Sequence, residues 1–323
     1  MRSALKYSAA PGIFTDSRFQ AVSTSPKFCD SNFEVDPMDT VLPHDVPAVS
    51  IAQLAARLGC ADAPLILDVR KAPTFDSATA LIASAQRLAP EQIESAFAAL
   101  PRQRDIVVYC VHGHQVSQGV ARTLNAAGFK AAFLDGGITA WDEASHPVMT
   151  KLTAPALPHA IPATPGAPSR WITRERPKID RIACPWLIRR FIDPAAQFLY
   201  VPSNEVIEAG KREQAEPYDV PNVRFSHRGP EGELCSFDAF IADFGLNDPC
   251  LHALAKIVRG ADTGKPALTP QSPGLMAISL GLSVNFPDDH AMLEQGMVMY
   301  DALYAWVKSA RAEVHNADLF KPA

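Results

Sequence analysis

Residues 105–121 read DIVVYCVHGHQVSQGVA, and their order decides the fold. Ile106, Val107, Val108 and Tyr109 form a continuous run of β-branched and aromatic residues, the pattern of a strand buried on both faces. Cys110 closes that run. From Gln115 onward, Val116, Val120 and Leu124 recur at helical spacing. Cys110 therefore stands where a strand turns into a helix. In a parallel α/β sheet the groups that meet a ligand lie at such turns, where loop N–H groups and the helix dipole favour an anion. Gly113 permits the close backbone approach this needs. Two readings of Cys110 follow: a thiolate held by the loop, or a small inert residue ending a buried strand.

Around this stretch, residues 48–149 alternate strand-length apolar runs with amphipathic ones. PLILDVR, DIVVYC and KAAFLDGG read as strands; VSIAQLAARLG, PEQIESAFAALP and VSQGVARTLNAAGF read as helices. Strands separated by helices predict a parallel sheet covered on both faces. Five prolines from Pro155 to Pro168 remove backbone donors and favour extended geometry, which marks 151–170 as a linker. Few contacts are expected to cross it, so the two halves should fold separately. Beyond it, DRIACPWLIRRFI, CSFDAFIADFGL, DPCLHALAKIVRGA and PGLMAISLGLS are helical, as is a long stretch from Pro287 to about Arg311. Short strands are expected near QFLYV and VRFSHRG. The predicted fold class is α/β: a parallel sheet covered by helices over 48–150, then a second, predominantly α-helical (α+β) domain over 171–312. Residues 1–47 are expected to be a disordered tail, either weakly like an organelle transit peptide or an upstream extension with Met38 as the working start. Residues 313–323 are read as a C-terminal tail.

The chain has 323 residues, 47% hydrophobic and 20% charged, enough to bury two cores. A formal net charge of −5, with both signs interspersed, provides no basic stripe for a phosphate backbone and argues against nucleic acid as a partner. No apolar run has the length needed to span a membrane. The six cysteines show no paired spacing in a chain too large to need stapling, so they are read as free thiols in a reducing, cytoplasmic setting.

LILDVR (65–70), the cysteine loop and FLDGGITAW (133–141) occur in the order and approximate spacing of the rhodanese domain. Residues 49–148 resemble that family closely. The resemblance implies a sulfurtransferase that needs no cofactor. Cys110 would attack a sulfane-sulfur donor such as thiosulfate, become a persulfide and pass sulfur to a thiophilic acceptor. Val111, His112, Gly113, His114, Gln115, Val116 and Ser117 would form its cradle, with Asp68 and Arg70 in support. Activation in such a cradle is electrostatic and demands no general base. His112 and His114 either tune the sulfur or are plain polar loop residues. Two departures stand out. The segment KAPTFDSATALIASAQRL keeps an aromatic at Phe75 but lacks the family's glycine-histidine-isoleucine-proline-glycine-like stretch. The loop is also about one residue longer than usual, approaching phosphatase and arsenate-reductase cradles, yet has no arginine for a tetrahedral dianion, which disfavours phosphatase chemistry.

RPKIDRIACPWLIRRFID (176–193), FSHRG, CSFDAFI, IVRGADT and DDHAMLEQGMVMYDALYAW together closely resemble the C-terminal domain of the chromate-resistance protein ChrB, over about 171–310. The resemblance implies a setting of chromate resistance or oxidative stress, with chromate as a further partner. A helix-turn-helix is not recognisable, which counts against transcriptional regulation. The residues suggest a metal: His290 and Glu294 lie four apart on one helix, and His227, Asp238 and Asp262 complete a nitrogen and oxygen set suited to Zn, Fe or Mn. A surface ion-pair set with Asp288 or Asp289 as a helix cap is the alternative. Asp180 and Arg181 are placed towards the same pocket. Cys184 and the stripe Met292, Met297, Met299, Tyr300, Tyr304 and Trp306 are read as packing. A function of a different class also stands: a sensor or regulator in which Cys110 detects an oxyanion or oxidant without turnover.

Overall fold

In chain order the first half runs β1 (Ala48–Val49), α1 (Ile51–Arg57), β2 (Leu65–Asp68), α2 (Ala72–Ser77), β3 (Ala80–Ile82), β4 (Gln86–Arg87), α3 (Ile93–Ala96), β5 (Ile106–Tyr109), α4 (Gln115–Ala126), β6 (Ala131–Leu134), α5 (Gly137–Glu143) and β7 (Val148–Thr150). The computed structural model describes residues 46–152, 159 and 167–313. All of the expected N-terminal tail but Val46 and Pro47, Met38 included, all of the C-terminal one but Glu313, and most of the expected linker lie outside that range. Strands β1, β6, β5, β2 and β4 pair in this order, all parallel, while β3 and β7 form a separate antiparallel pair.

Side chains alternate between two apolar clusters. Leu65, Leu67, Ile106, Val108 and Phe133 meet Ile93, Val120 and Leu124 of α3 and α4 on one face. On the other, Ile66, Val107, Tyr109 and Leu134 meet Leu54, Ile138 and Trp141 of α1 and α5. The expected parallel sheet covered on both faces is present.

The second half contains β8 (Arg170–Arg174), α6 (Asp180–Phe191), β9 (Gln197–Val201), α7 (Val206–Glu213), β10 (Glu216–Pro217), α8 (Ser236–Asp243), α9 (Pro249–Asp262), α10 (Ser272–Asn285) and α11 (Asp289–Ala305). A three-stranded parallel sheet, β10-β8-β9, lies among the helices. Its central strand β8 begins inside the segment read as linker. The strand expected at VRFSHRG reduces to isolated bridges, Tyr218 with Phe225 and Arg228 with Leu234. Positive φ at Asn222 (64°) and Gly229 (93°) turns the chain at either end of it.

The two halves share a core, contrary to the expectation that few contacts would cross between them. Leu54, Leu58 and Trp141 belong to the same continuous apolar cluster as Trp186, Phe191 and Tyr304. The Ser84 N–H donates to the Phe191 carbonyl at 2.7 Å, and the Thr150 N–H to the Phe244 carbonyl at 2.8 Å. The Gln86 side-chain amide donates to Asp193 Oδ1 at 3.1 Å. Apolar periodicity shows which face of an element is buried but not what covers it, and here each half covers the other. Gly59 sits at this seam with φ of +80°, where a Cβ would lie 2.7 Å from Phe191 Cζ and 2.9 Å from Tyr304 Cε1. Gly59→Ala should therefore cost about 1–3 kcal/mol in urea unfolding, from left-handed strain and overpacking. Gly119→Ala, inside α4 with nothing within 4 Å of the added Cβ, should instead be neutral or gain roughly 0.5–1 kcal/mol.

Candidate functional site

Cys110 follows β5 directly and is 7% exposed. Two hydrogen bonds from the first turn of α5 shape its loop. The Ile138 N–H donates to the Cys110 carbonyl at 3.0 Å and the Thr139 N–H to the Val111 carbonyl at 3.1 Å. With these carbonyls drawn towards α5, the N–H groups that follow are free to face the sulfur. Glycines make the approach possible. A Cβ on Gly113 (φ +73°) would stand 2.5 Å from the Leu134 carbonyl oxygen, and one on Gly137 (φ +59°) 2.6 Å from the Cys110 carbonyl oxygen.

Burial pushes the Cys110 thiol up, but hydrogen bonds to the Ser117 hydroxyl and to the backbone N–H groups of Ser117, His112 and His114 outweigh it, and the net direction is down. Ser117 Oγ is 3.2 Å from Sγ and donates to the His114 carbonyl at 3.1 Å. When the thiol ionises, that hydroxyl can turn its proton to the sulfur. The site thus favours a thiolate.

Above the sulfur is an open pocket of about 560 Å³, lined by Cys110, Val111, His112, His114, Gln115 and Val116, with Gln118 from α4 and Arg70, Lys71 and Thr74 from the chain after β2. Of the expected cradle, Gly113 packs beneath the loop and Ser117 is fully buried below the sulfur. The His112 and His114 ring centres stand 5.9 Å apart at the mouth. Asp68, fully buried, accepts from Arg70 Nε at 2.9 Å and from the Tyr109 hydroxyl at 2.8 Å. Arg70 is largely neutralised by this partner, so Lys71 supplies the uncompensated positive charge. The sequence reading missed Lys71, Thr74 and Gln118. Lys71 was findable, since it follows Arg70 at the carboxyl end of a buried strand, where ligands bind.

A second constellation lies in the other half. His227 Nε2 is 3.1 Å from Asp262 Oδ2, 3.4 Å from Asp180 Oδ2 and 3.5 Å from Asp219 Oδ1. Asp180 and Asp219 are 2% and 4% exposed. Burial first, then Asp219, raises the Asp180 carboxyl to about 7. Hydrogen bonds to Asp180 and Asp262 raise His227 to about 11. Asp180 sits at the start of α6 behind Ile179, whose unusual backbone (φ 44°) is held by the Ser279 hydroxyl accepting from its N–H and by the Tyr300 hydroxyl donating to its carbonyl.

The structure brings His227 and Asp262 together, as expected, but not with the other three expected ligands. Glu294 is 62% exposed and pairs with Arg189 at 2.9 Å. His290 packs edge-on against Tyr200, with ring centres 5.4 Å apart. Asp238 holds Arg259 at 2.6 and 2.9 Å. An i, i+4 pair shares one helix face, and α11 turns a different face, Met292, Met297, Tyr300 and Tyr304, into the core. Asp288 is the N-cap of α11, its carboxylate accepting from the Ala291 N–H. Asp180 was read as facing the pocket and does so. Asp219 was missed, because a lone aspartate in a turn after Tyr218 carries no periodic signal. Cys184 and Cys235 are buried, with thiols pushed well up by burial, which suits packing.

A parallel α/β sheet with a cysteine at a strand-to-helix turn, joined to a mostly helical half, defines the class of this protein. Residues 50–144 match the rhodanese-like domain family, and residues 171–307 match the family described as ChrB, C-terminal domain. The chain carries a rhodanese-like domain followed by a ChrB C-terminal domain. Protein ChrB of Cupriavidus metallidurans is 32% identical over 168 residues, 50% of this chain and 49% of that protein, so the chain spans about half the length of this curated relative. Similar solved structures include a rhodanese-related protein from Thermoplasma volcanium, with 24% identity, 32% of this chain and 96% of that chain covered, and TM-score 0.28. A rhodanese-like domain protein from Staphylococcus aureus shows 23% identity, 29% and 90% coverage, and TM-score 0.27. Among the described residues no helix is long and apolar enough to cross a membrane.

Removing one donor to the sulfur should weaken the thiolate. Ser117→Ala should slow iodoacetamide alkylation of Cys110 at pH 7 by roughly tenfold, since a hydrogen bond to a charged group contributes about 1.5–3 kcal/mol. The rates of the two proteins should converge above pH 10, where both thiols are ionised.

Proposed function

We propose that the protein is a rhodanese-type sulfurtransferase working through a persulfide on Cys110. The observation that carries this reading is the convergence of a hydroxyl and three backbone N–H groups on one sulfur beneath an open, cationic pocket. In the first step the Cys110 thiolate attacks the outer sulfur of thiosulfate. An S–S bond forms to Cys110, the S–S bond of the donor breaks, and sulfite leaves with the bonding electron pair. In the second step a thiophilic acceptor such as cyanide takes the outer sulfur, and the electron pair of the persulfide bond returns to Cys110 as thiolate. Neither step changes the net redox balance or needs a metal. The same N–H groups that hold the thiolate hold the persulfide anion, whose charge lies one atom further into the pocket.

The ChrB C-terminal domain and the relative named ChrB support placing this chemistry in a response to chromate or oxidant. Chromate, like thiosulfate, is a tetrahedral dianion. Incubation with thiosulfate should add one sulfur atom, about 32 Da by mass spectrometry, to the wild-type chain and none to Cys110→Ser, and cyanide should remove it as thiocyanate. Chromate binding without this mass shift would replace transfer by sensing. Lys71→Ala should raise KM for thiosulfate several-fold with little change in kcat at low salt, and the difference should shrink at high salt.

A further inference from the structure

We propose that Asp180, Asp219 and His227 bind one divalent first-row transition cation, with Asp262 alongside, at the meeting of α6, the segment after β10 and the end of α9. Among the described residues these three form the set whose ligating atoms all lie within 4.8 Å of one another. Their spacing fits an ion. Ligands 2.0–2.2 Å from a metal, at tetrahedral or octahedral angles, lie about 2.8–3.6 Å from each other. His227 Nε2 is 3.4 and 3.5 Å from the Asp180 and Asp219 oxygens.

Those distances are at the long end for hydrogen bonds, and one ring nitrogen has a single hydrogen to share among three carboxylates. Asp262, at 3.1 Å, is the partner best placed to take it. His227 Nδ1 lies 3.3 Å from the Gly232 carbonyl, the outer partner that orients a metal-bound imidazole with Nε2 towards the ion. With both ring nitrogens protonated, His227 is itself the cation among these carboxylates, and a bound metal would take the place of its Nε2 proton.

Charge and burial point the same way. Arg174 and Arg181 reach Asp219 through Oδ2, at 2.7 and 3.2 Å, leaving Oδ1 to the Ser236 hydroxyl and the His227 side. Asp180 Oδ2 accepts the Ser236 N–H at 3.1 Å. No arginine or lysine is paired with Asp180 or Asp262 among the described residues. Buried carboxylates of this kind are paired or hold metals. Tyr218, fully buried next to Asp219, has a hydroxyl that approaches Tyr200 without reaching hydrogen-bond geometry and stands in the field of Asp219 and Cys184. One nitrogen and two or three carboxylates suit Mn, Fe(II) or Zn rather than a soft ion.

The test uses the full chain, free of any affinity tag, as Cys110→Ser to remove the reactive thiol, stripped with chelator and dialysed separately against Mn2+ and Zn2+. The expected result is one ion per chain for at least one metal, with a higher Tm in its presence. Asp180→Asn and His227→Gln should each weaken binding by roughly tenfold or more, while His290→Ala and Glu294→Gln leave it unchanged. The absence of a stoichiometric ion with both metals, or affinity untouched by both ligand variants, overturns the proposal and leaves protonated His227 as the cation of the cluster. Should the ligand variants fail to fold, Mn2+ broadening of the His227 ring resonances in the folded chain decides. Selective broadening of His227 over His290 supports the site, and equal or absent broadening overturns it.

Discussion

The peptide groups at Cys110 and Val111 are committed by two hydrogen bonds from α5, and the chemistry of the first half depends on that commitment. Once their carbonyls accept from Ile138 and Thr139, the loop turns its N–H groups towards the sulfur. The arrangement is preorganised, because α5 is itself fixed by the fully buried Trp141, whose indole N–H donates to the Pro147 carbonyl. A cradle built from backbone needs no movement when negative charge appears on the sulfur. The opposition between burial and hydrogen bonding at Cys110 is decided by the number of donors, four against one desolvated thiol.

The same fold shows why the two halves act as one body. The face of the sheet opposite α3 and α4 is covered by α1 and α5, and beyond them by Trp186, Phe191 and Tyr304 of the second half. The Lys308 ammonium reaches back to the carbonyls of Ala55 and Ala56 at 3.2 Å. The described residues accordingly form one compact unit. The second half is therefore joined to the rhodanese-like half through packed side chains.

Much of this was legible in the sequence, and the limits are physical. The apolar runs at Leu65, Ile106 and Ala131 identified the three central strands, because strands buried on both faces leave no polar residue in the run. The position of Cys110 left two readings open, and it was the resemblance of LILDVR, the cysteine loop and FLDGGITAW to the rhodanese domain that favoured the reactive one. The sharing of one core was not, since a buried face does not name its neighbour. β8 was hidden because Arg170 to Arg174 begins within a proline-rich segment, and its pairing with β9 is visible only in three dimensions. At the second site, His227 was read at the end of a short strand and Asp262 beside an apolar helical stretch, whereas His290 and Glu294 were grouped by a helical spacing that the fold directs to solvent. Asp219, at positive φ in a turn, left no pattern to read.

The central claim is that the loop donors overcome burial and hold Cys110 as a thiolate. Absorbance of the thiolate near 240 nm, followed against pH as the difference between the wild-type chain and Cys110→Ser, tests it directly. The account predicts a midpoint below the ordinary thiol value of about 8.5. A midpoint above that value would mean that burial prevails at Cys110 and that the loop does not hold the charge.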